Sequence, residues 1–205
     1  MLDTKDYFLE DGAYPWWDRG RIDFLPMETR LLRENLRDGS VADIGIGKGR
    51  IELNLERNEE FVGIDISLAM LKEAKQRLRT RSLSVELIQC DAEDLPFKDK
   101  SFDSSFCFEA LMHIPNTDRV IQEMRRITKQ DVFLHFNIRS PKLLWRLVSH
   151  GKVKEFSSLL SGYYPVVRRI LGRRTIWKAF NYGYVKSFRP EKEWKLDLAN
   201  VVVKL

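Results

Sequence analysis

Apolar residues fall into short runs and helical stripes that alternate through the first two thirds of the chain. After Pro26, Met27, Leu31, Leu32 and Leu36 repeat at helical spacing, and Gly39 supplies the stop. Ser40–Ile44 is a brief apolar run, the pattern of a strand covered on both faces. Ile51 and Leu55 lie one turn apart in a helix predicted over Arg50–Asn58, and Phe61–Asp65 reads as the next strand. Ser67 predicts an N-cap for a helix with Leu68, Leu71, Ala74 and Leu78 on one face. Val85–Gln89 and Phe102–Phe108 are further strands. Val120, Ile121, Met124 and Ile127 mark a helix behind the start signal Asn116–Asp118, and Asp131–Ile138 is the strand after it.

Strand–helix alternation to Ile138 predicts an α/β fold, a doubly wound and mostly parallel sheet. The pattern then changes. Leu143, Leu144, Leu147 and Val148 form a helical stripe ended by Gly151, and Val153, Phe156 and Leu160 form one ended by Gly162. Val166, Val167, Ile170 and Leu171 form a third stripe, and Ile176, Trp177 and Phe180 a fourth. Tyr182–Phe188 and Leu198–Leu205 are predicted as two strands of a closing antiparallel hairpin. The expectation is a seven-stranded sheet with a helical cap inserted before its last two strands. It divides into an aromatic lid over 1–25, a core over 26–138, a cap over 139–181 and a hairpin over 182–205.

Composition narrows the class. With 205 residues, 43% hydrophobic and 32% charged, the chain can bury a sizeable core as one domain. No apolar run reaches the ~18–20 residues of a membrane span. Met1–Asp6 carries early acids and no hydrophobic stretch, which predicts no secretory signal. Cys90 and Cys107 are too few for a disulfide framework or a cysteine-built zinc site, so a cytoplasmic location is expected and no metal. The net charge of +5 is unevenly spread: residues 1–138 hold 20 Lys/Arg and 26 Asp/Glu, and residues 139–205 hold 15 Lys/Arg and 4 Asp/Glu.

Candidate chemistry sits at strand ends. Val41-Ala42-Asp43-Ile44-Gly45-Ile46-Gly47-Lys48-Gly49 places three glycines where a strand turns into a helix and a ligand can approach the backbone. A dinucleotide fingerprint would space its third glycine one residue later. Asp43 would repel a pyrophosphate and attract a ligand bearing an ammonium and a sulfonium. Asp65, 20 residues past Gly45, ends the second strand where a carboxylate can accept from ribose hydroxyls. Asp91 follows the third strand, within Cys90-Asp91-Ala92-Glu93-Asp94-Leu95-Pro96-Phe97. Ser101-Phe102-Asp103 opens the fourth strand, and Glu109-Ala110-Leu111-Met112-His113-Ile114 follows it.

These four pieces, in this order and spacing, resemble the class I S-adenosylmethionine-dependent methyltransferases, in particular the small-molecule branch that includes quinone C-methyltransferases. The resemblance spans about residues 26–138. It implies that Asp43 and the backbone of Gly45, Gly47 and Gly49 hold the methionine end of the cofactor. It also implies that Asp65 binds the ribose, Ile66 lies against the adenine, and Asp91 takes the adenine amino group beside the Ala92 amide. Phe108 would line the methionine end. Where the family carries Lys-Pro-Gly-Gly, this chain has Thr128-Lys129-Gln130-Asp131.

Methyl transfer from a sulfonium needs alignment and dry surroundings rather than a metal. His113 is the candidate general base for an acceptor that must lose a proton, and a structural histidine orienting its loop is the rival reading. Arg168, Arg169, Arg173 and Arg174, among Trp145, Trp177 and branched apolar residues, suit contact with an anionic membrane surface and a lipid-like acceptor. A nucleic-acid methyltransferase and a non-catalytic cofactor-binding module are the alternatives.

Overall fold

The computed structural model describes residues 25–55, 60–138, 179–196 and 200–205. The expected lid, and almost all of the expected cap, lie outside the described residues. Two compact units are present. One takes in the described chain up to Ala110 together with Ile114–Phe133, and the other takes in Leu111–His113 and the described residues from Leu134 onward.

In the first unit, helix α1 (Leu25–Asn35) leads to strand β1 (Ser40–Ile44), helix α2 (Glu52–Leu55) and strand β2 (Glu60–Asp65). Helix α3 (Leu68–Thr80), strand β3 (Val85–Gln89), strand β4 (Phe102–Cys107) and helix α4 (Thr117–Ile127) follow. Strand β5 (Thr128–Asn137) passes from the first unit into the second, which also holds helix α5 (Tyr182–Ser187) and strands β6 (Lys192–Lys195) and β7 (Asn200–Lys204). The seven strands are ordered β3-β2-β1-β4-β5-β7-β6.

β1 pairs in parallel with β2 on one side and β4 on the other. The chain therefore winds outward from β1 to β3, returns across β1, and continues the other way. That reversal creates the switch point at which open α/β sheets hold ligands, beside the carboxyl ends of β1 and β4. Leu32, Ile44, Leu55, Ile64, Phe106, Ile121, Met124 and Ile127 are all but fully buried around this sheet. Each contributes roughly 1.5–3 kcal/mol of transfer free energy.

At the opposite, amino ends of β1 and β4, Asp103 fixes the register. It accepts from the Ser40 amide and Ser40 Oγ at 2.9 Å and from Lys129 Nζ at 2.9 Å. Those donors, the Ser40 amide first, pull its carboxyl down to about 2. A Cβ on Gly39 would stand 2.5 Å from Asp103 Oδ2, so glycine is required there.

The predicted N-cap forms, with Ser67 Oγ accepting from the Met70 amide at 3.3 Å, and within the start signal Asn116–Asp118 it is Asn116 that caps, its Oδ1 accepting from the Arg119 amide at 3.2 Å. α4 runs directly into β5 at Thr128, so the family's glycine-containing turn has no counterpart here. Lys100 donates from Nζ to Thr128 O at 2.6 Å and Arg125 O at 3.2 Å at this junction.

The closing segment differs from its expectation. Tyr182–Ser187 is a helix, not a strand, and the antiparallel pair is β6 with β7, matching Trp194 to Val202. Asn181 caps the helix by accepting from the Gly183 amide at 2.7 Å. Tyr184 and Phe188, four residues apart, then reach each other at a ring distance of 4.9 Å, and both face Phe136. Helical spacing brings these two rings one turn apart and into contact, whereas an extended segment would hold them about 13 Å apart.

Candidate functional site

The loop after β1 is held against β2 by its own backbone. The Gly45 and Ile46 amides donate to Ile64 O at 2.7 and 3.0 Å, and the Gly47 amide donates to Asp65 Oδ2 at 2.9 Å. Gly45 has φ +84° and Gly47 φ +54°, a region in which a side chain is strained. A Cβ on Gly45 would collide with that of Ala110, in the turn after β4. A Cβ on Gly47 would meet nothing nearer than Gly45 O at 4.0 Å. Gly45 is thus demanded by packing, and Gly47 leaves open space at the backbone.

Asp65 ties this loop to the next helix. Its second oxygen accepts from the Ser67 amide at 2.9 Å. Burial pushes its carboxyl up, against the downward pull of amide bonds from Ser67, Gly47 and Ile66. Both oxygens are fixed in place, and the amide bonds leave lone-pair capacity for a further donor. Ile66 O accepts from Gln89 Nε2 at 3.0 Å, and the Cys90 amide donates to Asp65 O at 3.3 Å. The ends of β2 and β3 are thereby locked together.

Asp91 closes a local turn by accepting from the Glu93 amide at 2.9 Å, with Ala92 part-buried between them. Glu93 in turn accepts from the Asn116 amide at 3.1 Å, which anchors the turn to α4. Burial, with the charges of Asp91, Asp65 and Asp94, pushes the Cys90 thiol up to about 11. The first unit therefore brings Asp43, Gly45, Gly47, Gly49, Asp65, Ile66, Asp91 and Ala92 to the carboxyl ends of β1, β2 and β3. Phe108 follows β4, buried, 5.4 Å from the Phe106 ring. His113 is buried in the 3-10 turn Leu111–His113 and belongs to the second unit. His135, also in that unit, is buried with Nε2 3.2 Å from Asn200 Oδ1, a packed role.

Asp43 is not an isolated carboxylate. It is buried, and Glu52 on α2, also buried, is near enough for its charge to act on it. Burial, first, and the Glu52 charge, second, push Asp43 well above the ordinary carboxylate range. Arg50 stands next to them and is held by Glu28, Nη1 to Oε2 at 2.6 Å. Glu109 and Asp43 add their charges to hold Arg50 cationic. Neither Glu52 nor Arg50 stood among the candidate site residues expected from sequence. The available signal was Glu52 lying one helical turn from Leu55, on the same face.

A family described as a methyltransferase domain matches residues 42–136. This chain carries a class I, S-adenosylmethionine-dependent methyltransferase domain. A ubiquinone biosynthesis O-methyltransferase from Pseudomonas syringae pv. tomato is 33% identical over 145 residues, 65% of this chain and 62% of that protein. The O-methyltransferase rstn1 of Aspergillus nomiae is 28% identical over 164 residues, 71% of this chain and 72% of that protein. Among the first curated relatives the matched stretch spans between 56% and 72% of their length. The magnesium protoporphyrin IX methyltransferase of Synechocystis PCC 6803, crystallised with S-adenosylhomocysteine, shares the fold. Its TM-score is 0.67 and its identity 17%, over 98% of this chain and 96% of that one.

The residues present fit the cofactor. Gly47 leaves its backbone open, Asp65 is aimed and anchored, and carboxyl groups outnumber cations around Asp43, which suits a ligand with an ammonium and a sulfonium.

Proposed function

We propose that this methyltransferase domain transfers a methyl group to a small, lipid-like acceptor at oxygen or carbon. S-adenosylmethionine supplies an activated methyl group that an acceptor lone pair or carbanion can displace in line. The Gly45–Gly49 backbone and Asp43 hold its methionine end. Asp65 accepts from the ribose hydroxyls, Ile66 lies along the adenine, and Asp91 with the Ala92 amide reads the adenine edge. Phe108 helps exclude water at the methionine end. His113 takes the acceptor proton when a hydroxyl or activated carbon is methylated. The observation that carries the reading is Asp65, held by the Gly47 and Ser67 amides at 2.9 Å each with its remaining lone pairs available.

The lipid-like acceptor draws support from the quinone relative and from the basic, apolar stretch after Ile138. No helix among the described residues is long and apolar enough to cross a membrane. The proposal takes contact with an anionic surface to be peripheral, through that basic stretch.

Calorimetry with purified protein tests the reading. S-adenosylmethionine and its demethylated product bind and NAD does not, and Asp65→Ala weakens binding by ~1.5–3 kcal/mol for each charge-assisted hydrogen bond lost. NAD binding without sulfonium binding overturns it. Once an acceptor is in hand, His113→Ala lowers turnover ~10²-fold or more at unchanged cofactor affinity. Full turnover in that variant removes His113 from the chemistry.

A further inference from the structure

Helix α4 grips the backbone of the loop between β3 and β4. Arg119, Glu123 and Arg126 stand at i, i+4 and i+7, on one face of the helix. Arg126 donates to Leu95 O at 2.9 Å and Phe97 O at 2.6 Å, and the Leu95 amide donates to Glu123 Oε2 at 3.0 Å. Arg119 Nε donates to Glu93 O at 3.0 Å. Three carbonyls spaced two residues apart are thus held from one helix, and that of Glu93 is the one nearest Asp91 along the chain.

Glu93 is tied a second time by the start of α4. The Asn116 amide donates to Glu93 Oε1 at 3.1 Å, and Asn116 Oδ1 accepts from the Arg119 amide at 3.2 Å. Towards the site, the Glu93 amide donates to Asp91 Oδ1 at 2.9 Å, and the Asp94 amide donates to Asp91 O at 3.1 Å. The Glu93 amide therefore places the Asp91 carboxyl, and Arg119 places Glu93. Arg119 Nη2 also pairs with Glu123 Oε1 at 3.3 Å, which orients the planar guanidinium towards the loop.

We infer that Arg119 is a positioning residue for base recognition, aiming the Asp91 carboxylate through Glu93 so that the site prefers adenine to a purine with a carbonyl in place of the amino group. The inference rests on Asp91 taking the adenine amino group, as proposed above. The Arg119 side chain is 46% exposed. Water can satisfy the Glu93 carbonyl once the guanidinium is gone, so little stability is lost. Water does not fix the turn, however, and the aim of the carboxylate is lost. An amino group donates to a carboxylate, whereas the carbonyl oxygen of hypoxanthine only accepts and is repelled by one. A carboxylate free to shift holds the first less well and tolerates the second better.

Calorimetry with the full chain tests this by comparing S-adenosylhomocysteine with the same thioether carrying hypoxanthine in place of adenine. The wild type prefers adenine by ~tenfold or more. In Arg119→Ala that preference falls ~threefold or more, while the urea midpoint stays close to that of the wild type. Arg119→Lys, whose single ammonium reaches the carbonyl without the paired hold on Glu123, recovers part of it. An unchanged preference in Arg119→Ala overturns the inference. So does an equal loss of affinity for both thioethers, which is what a purely structural role would give. If Arg119→Ala does not fold, Arg119→Lys decides on the same ratio, and a wild-type preference there overturns the inference. Equal binding of the two thioethers by the wild type removes Asp91 from base reading and takes this inference with it. Binding of neither brings down the site reading itself.

Discussion

At the scale of single residues, carboxyl groups in this chain do opposite work according to what surrounds them. Asp103 meets two donors from Ser40 and one from Lys129, and its carboxyl is lowered to about 2. Asp43 meets Glu52 and is raised. The signs give opposite pH behaviour. A group depressed on folding contributes stability that is present above its unfolded value, near 3.8, and is lost as pH falls towards about 2. Asp103→Asn therefore removes part of the acid lability between those two values, measured as the difference in urea midpoint against the wild type. An identical acid profile in the two proteins would show that the latch contributes nothing. The strand-end acids Asp43, Asp65 and Asp91 were legible because each follows an apolar run. Glu52 was not, because an acid in a short helix reads as solvent-facing until its partner on another element is seen.

At the scale of elements, the apolar pattern settled most of the sheet, since β1 to β4 are short runs bounded by turns and helix starts. The misread element was α5. Tyr182, Tyr184 and Val185 resemble strand residues by type, and aromatic residues favour strands. The i, i+4 pair Tyr184 and Phe188 shares a face in either conformation, and the packing of both rings on each other and on Phe136 selects the helix. Another element-scale feature lies in α4, whose Arg126 clips the loop before β4. It donates to Leu95 O at 2.9 Å and Phe97 O at 2.6 Å while pairing with Glu123 at 2.7 Å and Asp99 at 3.0 Å. Glu123 also accepts from the Leu95 amide at 3.0 Å. Neither role is visible in sequence, because both are salt-bridge residues on the charged side of an amphipathic helix. Arg126→Ala leaves two carbonyls and a buried Glu123 short of donors. It destabilises by about 2 kcal/mol after allowing for the partial exposure of the guanidinium. Cofactor affinity falls with it, because Asp91 and Ala92 sit at the start of the same loop. Chemical denaturation and calorimetry on this variant check both, and wild-type values for both would show the clip to be redundant.

At the scale of the whole molecule, the distribution of charge makes the broadest claim. Residues 1–138 carry six more acids than bases, and residues 139–205 carry eleven more bases than acids. The acidic part holds Asp43, Asp65 and Asp91, the acids proposed above to meet a cationic cofactor. The basic part includes Arg168 and Arg169, set among Val166, Val167, Ile170 and Leu171 between Pro165 and Gly172, and Arg173 and Arg174 directly after that glycine. These positions lie outside the described residues, so the argument for them is one of composition. Basic residues near an anionic bilayer contribute ~1 kcal/mol each, an attraction that salt screens. Branched apolar residues among them supply the part of the interaction that salt does not weaken. The protein is therefore expected to float with anionic liposomes, less so as salt rises, and not with neutral ones. Changing the four arginines to serine abolishes flotation and leaves cofactor affinity intact, because Asp43 to Gly49, Asp65 and Asp91 are far along the chain from the change. A protein that ignores anionic liposomes but binds RNA in a salt-sensitive way would reject a membrane-borne acceptor and put nucleic acid in its place.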